Sequence, residues 1–208
     1  MKRLELVVST LMEIFLMVVI VLIPLRLTLF NEDYYHSQFE KNKVYSDVEN
    51  ADEVLHNLLN FFRGKEELVY FEEDEQLHLE DVRSLLNKFF FALYFSVFMT
   101  FLLVVALFFL FTEDFRTDVF KIFFLAGLSS FALIALLFLV SLNFSMTFEG
   151  FHLLFFPQGN YTFAETSLLI TMFPAVFFKS FFTKLLLGSV IISFIAMAPQ
   201  IIKNKRKK

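Results

Sequence analysis

The chain has 208 residues, 57% of them hydrophobic, and a mean hydropathy of +0.65; ordinary soluble domains do not carry that apolar load. It contains 33 Phe but no Cys, which excludes disulfides, thiolate metal sites and a cysteine nucleophile. The net charge of -4 is small, so the placement of charges matters more than their sum, and no nucleic-acid partner is expected.

The first apolar segment, Leu6–Phe30, follows Met1-Lys2-Arg3 and so mimics a signal peptide. Its apolar core is too long and no small-x-small cleavage site follows, so an uncleaved span is expected. Within it, Glu13 reads as a bundle-facing structural residue. Arg26, just after Pro24, is either a snorkelling cation or a ligand for a phosphate, carboxylate or oxyanion.

Residues 31–88 form a loop with fifteen Asp/Glu against six Lys/Arg, too long for a mere connector. Val54, Leu55, Leu58, Leu59 and Phe62 have the spacing of one helix face. Asn50 or Asp52 can cap its start and Gly64 its end. Leu68–Phe71, "LVYF", is short and β-prone. Then "EEDEQLHLEDVRSLL", Glu72 to Leu86, packs six carboxylates around His78. Leu77, Val82, Leu85 and Leu86 continue a helical face into the second span, and Glu73 and Glu75 are expected on a solvated face. The loop is expected to be a helical cap.

Phe89–Phe111, Ile122–Phe144 and about 183 to Ile202 are the remaining spans. Each has the length and apolarity to cross a core of roughly 30 Å and must be helical there. Between the second and third, the short loop "TEDFRTDVFK" carries Arg116 and Lys121. Residues 145–182 form the other outer loop, apolar but broken by Gly150, Pro157, Gly159 and Pro174. Its run Ser167–Phe178 is too short to cross and reads as interfacial or re-entrant. The sequon at Asn160-Tyr161-Thr162 receives no weight. Lys2-Arg3 and the closing "KNKRKK" place both ends in the cytoplasm, and both long loops outside. The expectation is an all-α membrane protein: four transmembrane helices with an extracytoplasmic helical cap formed by the first and third loops, residues 1–208 being one integral membrane domain.

Four histidines then lie on the outer side. His36 and His56 have no convergent partner in the sequence and read as solvated. His78 has Asp81 three positions on, near enough on a helix to fix its tautomer. His152, in "FEGFHLLFFPQGNY", is ionisable among aromatics, which costs free energy and needs a reason; Glu149 precedes it by three. Surface solvation or interfacial snorkelling is the bland alternative for both. Two histidines near the outer headgroups, each with a carboxylate, suit acid–base chemistry on a lipid ester. A metal site from His78, Asp81, Glu149 and His152 ranks lower, because no metal-ligand spacing supports it, and no cofactor is expected.

"FEEDEQLHLEDVRSLL" and "FEGFHLLFFPQGNYTFAETSLLITMFPAVFF", in this order on four spans, resemble the bacterial lipoprotein intramolecular transacylase family over nearly the whole chain. Members usually have Trp where this chain has Tyr161. The resemblance implies an enzyme of a Gram-positive plasma membrane that acts on diacylglyceryl-modified lipoproteins. It moves an O-acyl chain of the glyceryl group to the α-amine of the N-terminal cysteine, giving a lyso-form lipoprotein. Intramolecular ester-to-amide transfer requires no covalent enzyme intermediate. His78 and His152 are therefore the expected catalytic pair, with Asp81 and Glu149 as orienters and Arg26 or backbone amides for the oxyanion. The alternatives are a non-enzymatic membrane assembly subunit and an outer-leaflet lipid hydrolase; no activated serine motif supports the latter.

Overall fold

A computed structural model describes residues 2–110 and 115–205. The described residues are helical, without strands, in the order α1 (Lys2–Leu29), α2 (Glu32–Lys41), α3 (Val44–Asp47), α4 (Ala51–Phe62), α5 (Glu73–Leu110), α6 (Phe115–Ser141), α7 (Phe144–Phe155), α8 (Leu168–Met172) and α9 (Ala175–Lys205). Two compact units result: Met1–Arg26, Phe89–Leu139 and Lys184–Lys208 form one, Leu27–Lys88 and Val140–Thr183 the other.

The first unit holds the apolar lengths of α1, α5, α6 and α9, the four helices long and apolar enough to span a membrane. Only 17–28% of each helix's most apolar window is buried within the protein. Apolar side chains left outside the protein's own packing require a lipid solvent. The buried face of α1 runs Val8, Met12, Leu16 and Ile20, one residue per turn, and packs with Leu107, Ile122 and Ala126. Glu13 accepts a 3.0 Å hydrogen bond from the Ser129 hydroxyl on α6, the structural role expected of it. A Cβ at Gly127 would lie 2.7 Å from the Ser193 carbonyl oxygen, so α6 and α9 approach at a distance only glycine allows.

The second unit gathers the first and third loops. Asn31 caps α2 by accepting from the Tyr34 N–H at 2.9 Å. The helix expected between an Asn50 or Asp52 cap and Gly64 is α4, although the Asn50 side chain makes no capping bond. It stops where Gly64 takes φ +73. The Gly64 N–H then donates to Phe61 O and the Lys65 N–H to Asn60 O, the paired bonds of a glycine-terminated helix. Leu68–Phe71 forms no strand: it bends at Tyr70 and Phe71, and its Val69 N–H donates to Asn57 Oδ1 at 3.2 Å. Ser167–Phe178, expected as an interfacial or re-entrant piece, is divided in two. It holds the one-turn α8, then Pro174, directly after which α9 begins. Proline is tolerated at a helix start because no intrahelical N–H is needed there, so the helix that carries the fourth apolar run, expected from about 183 to Ile202, extends back to Ala175. The loop residues 111–114 and the basic end 206–208 lie outside the described residues.

Candidate active site

The acidic stretch is helical because its carboxylates suit a helix start. Glu73, Asp74 and Glu75 occupy the first turn of α5, where the macrodipole favours negative charge. Glu75 does more than that. Its Oε2 accepts from the Glu72 N–H at 3.0 Å, the reach-back bond of a capping box. Its Oε1 accepts from the Leu169 N–H of α8 at 2.7 Å. The residue is 1% exposed. The buried face of α5 in this unit is therefore Glu75, His78, Leu79 and Leu86, whereas Leu77, expected on that face, is 53% exposed. Glu73 is solvated as expected, and Glu75 is not.

One turn after Glu75, His78 is buried. Its ring centroid lies 6.1 Å from that of His152, the planes inclined by only 23°. Aromatic rings enclose the pair. Phe156 lies 5.0 Å from His78 and 5.7 Å from His152. Phe163 covers His78 at 5.5 Å, while Tyr161 and Phe148 pack on His152 at 5.0 and 4.3 Å. On α7 the His152 Nδ1–H donates to Phe148 O, one turn back, at 2.7 Å. A carbonyl only accepts, so the neutral ring carries its proton on Nδ1 and presents an unprotonated Nε2.

The charge state of His78 is set by its surroundings. The residue precedes the apolar stretch that begins at Phe89 by about three helical turns. Burial, then the neighbouring His152, lower its pKa from 6.5 to about 4, with Asp81 pulling weakly the other way. The imidazole is neutral at pH 7. Its Nδ1 is buried with no hydrogen-bond partner among the described residues.

The supporting residues are placed differently from expectation. Asp81 makes no hydrogen bond to His78. Its Oδ2 accepts from Gln158 Nε2 at 2.8 Å and from Asn160 Nδ2 at 2.6 Å, which ties the loop after α7 to α5. Glu149 is exposed; the backbone carbonyl of Phe148, not this carboxylate, bonds to the His152 ring. Arg26 belongs to the other unit, where its Nε donates to the Tyr94 hydroxyl at 3.2 Å and its guanidinium lies 5.5 Å from the Phe90 centroid. His36 and His56 have partners the sequence did not reveal. His36 Nδ1 is 2.7 Å from the Tyr45 hydroxyl and 3.2 Å from Asp52, and His56 Nε2 is 3.0 Å from Asn60 Nδ2. Among the described residues no cluster of three or more His, Asp or Glu is arranged to hold a metal ion.

Residues 10–178 match the family model described as lipoprotein intramolecular transacylase Lit. The chain belongs to the lipoprotein intramolecular transacylase family. It is thus an acyltransferase and a multi-pass membrane protein whose family acts on lipoproteins. The fold agrees. The in meso structure of the membrane integral lipoprotein intramolecular transacylase Lit from Bacillus cereus superposes with a TM-score of 0.80, at 16% identity and over 100% of both chains. Two variants of the same protein, each with one histidine replaced, match with TM-scores of 0.79 at 16% identity. The arginine variant covers 99% of this chain and 95% of its own, the alanine variant 100% and 97%. No curated relative matches the chain.

Within this transacylase, several residues of the enclosure were not legible beforehand. Glu75 has a local signal, because Glu at the third helical position after Glu72 is a capping-box register. Asn160 and Gln158 have none, being joined to Asp81 across more than seventy residues of chain.

Proposed function

We propose that the chain, as a single membrane-embedded enzyme, transfers an O-acyl group of the diacylglyceryl moiety to the α-amine of the lipoprotein's N-terminal cysteine. The reading is carried by two imidazoles 6.1 Å apart inside an aromatic enclosure. His152 is the general base, since its unprotonated Nε2 is the acceptor that the attacking amine needs. A cysteine α-amine with a pKa near 8 is partly unprotonated at neutral pH. Its nitrogen attacks the ester carbonyl carbon, a C–N bond forms, and the amine proton passes to His152 Nε2. The tetrahedral oxyanion collapses, the C–O bond to glyceryl breaks, and the proton moves from His152 to the glyceryl oxygen. One N–H is consumed and one O–H formed, so neither water nor a redox partner enters the balance.

His78 has the other role. Buried orphan N–H groups are rarer than orphan acceptors, so its proton belongs on Nε2 and its partnerless Nδ1 is the acceptor. A neutral ring with an Nε2–H donates to the developing oxyanion, an interaction that strengthens in a dry site. The amine and ester belong to one molecule, so effective molarity replaces a covalent enzyme intermediate. The Bacillus cereus variants in which a histidine is replaced by alanine or arginine support a histidine-centred chemistry. We further place both termini in the cytoplasm and the histidines at the outer membrane–water interface, from the Lys/Arg distribution.

The test is mass spectrometry of lipoprotein N-termini from cells with and without the protein, and with His78→Ala or His152→Ala. N-acyl, S-monoacylglyceryl termini should appear only with the intact pair. Unchanged termini in all strains would favour an assembly subunit, and free fatty acid without N-acyl product a hydrolase.

A further inference from the structure

Asn160 is the residue whose chemistry the reaction has not yet used, and the inference about it rests on the transfer proposed above. Its Nδ2 donates to Asp81 Oδ2 at 2.6 Å. An ionised carboxylate only accepts, so the amide must turn its NH2 toward Asp81; the opposite flip would set oxygen against oxygen. The amide oxygen is thereby directed away from Asp81. Oδ1 is buried and has no hydrogen-bond partner among the described residues. A buried orphan acceptor is costly and calls for an explanation.

The position of the residue supplies one. Asp81, which aligns the amide, is one turn along α5 from His78. Tyr161, next in sequence to Asn160, packs its ring 5.0 Å from that of His152. The chain reaches this position through a turn in which the Gly159 N–H donates to Phe156 O and Gly159 takes φ +82, a conformation that favours glycine. The orphan acceptor thus follows a hydrogen-bonded turn and adjoins the residue whose ring packs on the proposed base. Esters, thioether and carbonyls of the substrate bring only acceptors to such an atom. Its donors are the peptide N–H groups and the cysteine α-amine, and only the amine has to reach His152.

We propose that Asn160 binds the cysteine α-amine, Oδ1 accepting one amine N–H, and that Asp81 is the positioning residue that aims it. One amine N–H is then held by Asn160 and the other faces His152 Nε2. The lone pair is left for the ester carbonyl carbon. Asp81 serves the catalytic geometry through Asn160 instead of through the His78 ring.

The experiment compares two non-reacting ligands on the full-length protein in detergent, both lipopeptides with ether-linked chains. One carries the N-terminal cysteine, and in the other a 3-mercaptopropionyl group replaces it, deleting the α-amine. The wild type should bind the amine-bearing ligand about 3- to 10-fold tighter, the scale of a hydrogen bond between neutral groups. Asn160→Ala should lower that ratio several-fold, leaving the part due to His152, while barely changing affinity for the desamino ligand. Asp81→Asn, which no longer dictates the amide's orientation, should lower the ratio partway; Gln158→Ala should preserve it. Equal binding of both ligands by the wild type, or an equal loss for both in Asn160→Ala, would overturn the inference, the latter pointing to a merely structural role. Should Asn160→Ala fail to fold, the near-isosteric Asp81→Asn decides by the same ratio, an unchanged ratio counting against. Conversion of the ester-linked lipopeptide is measured on the same wild-type sample. Its absence refutes the transfer reaction itself, whereas conversion with an unchanged ratio refutes only the assignment of Asn160.

Discussion

Glu75→Gln is the most informative single change outside the histidines. The side chain is 1% exposed and its two oxygens accept from two backbone amides, Leu169 N–H at 2.7 Å and Glu72 N–H at 3.0 Å. A hydrogen bond to a charged group contributes about 1.5–3 kcal/mol. Glutamine keeps the volume but has one acceptor oxygen, so one amide must face an NH2 group and go unpaired. The charge that favours two helix starts is lost as well. A destabilisation of about 2–3 kcal/mol follows, which at about 2–4 °C per kcal/mol for a chain of this size lowers Tm by roughly 4–12 °C. Glu73→Gln, an exposed change in the same turn, should move Tm by less than about 2 °C. The assay is thermal unfolding of both variants in one detergent, with lipoprotein N-termini analysed in parallel. Equal and negligible shifts would refute the buried-anchor account and return Glu75 to the solvated face suggested by its acidic neighbours.

Other outcomes follow from the same geometry. His78 binds a proton less readily folded, at about 4, than unfolded, near 6.5, so the unfolded state takes up more protons between these values. Stability in detergent should therefore fall as pH drops from about 6.5 toward 4, by at most about 1.4 kcal/mol per pH unit. His78→Gln should remove that part of the slope, and identical pH profiles for variant and wild type would contradict the neutral buried ring. Gly159→Ala should cost about 1–2 kcal/mol from backbone strain alone, since a Cβ there meets nothing within 4 Å. Gly150→Ala, equally unobstructed inside α7, should instead stabilise by about 0.5–1 kcal/mol; thermal unfolding separates the two signs. Reporter fusions at Asn60 and Asn160 should read as external and one at Arg116 as internal, and any reversal would undo the orientation inferred from the basic residues.

The four spanning helices were legible because lipid imposes a simple rule: long apolar runs that satisfy their own backbone. Their ends were less so. Pro174 read as a breaker of an interfacial piece, yet a proline is compatible with the first turn that follows it, and α9 starts at Ala175. In the second unit, α4 was visible from one apolar face, while the start of α5 misled because its inward face carries Glu75 and His78. A rule that counts apolar residues sends such groups to water. It chose Leu77, which is exposed. Both candidate histidines were singled out from their settings and their family resemblance, and they do stack. Their supports were sought three positions along the same helix, the only neighbours a sequence offers directly. The structure instead uses a backbone carbonyl for His152 and sends Asp81 to a loop far along the chain. Contacts of that range leave no periodicity to read.

The proposed chemistry gives this enclosure a physical logic. An enzyme that moves an acyl group between two atoms of one substrate competes with hydrolysis of the same ester, and water is always the more abundant nucleophile. Acid–base catalysis alone would assist both reactions. Selectivity has to come from a site that holds the amine and leaves no room for water at the carbonyl. Phe156 and Phe163 around His78, and Phe148 and Tyr161 around His152, supply apolar walls at ring-contact distance. The same burial depresses the His78 pKa. A neutral His78 fits this logic better than a cationic one, because an imidazolium would need hydration that these walls deny. The low basicity of His78 and the proposed preference for an amine over water then share one cause, the burial of that ring among these side chains.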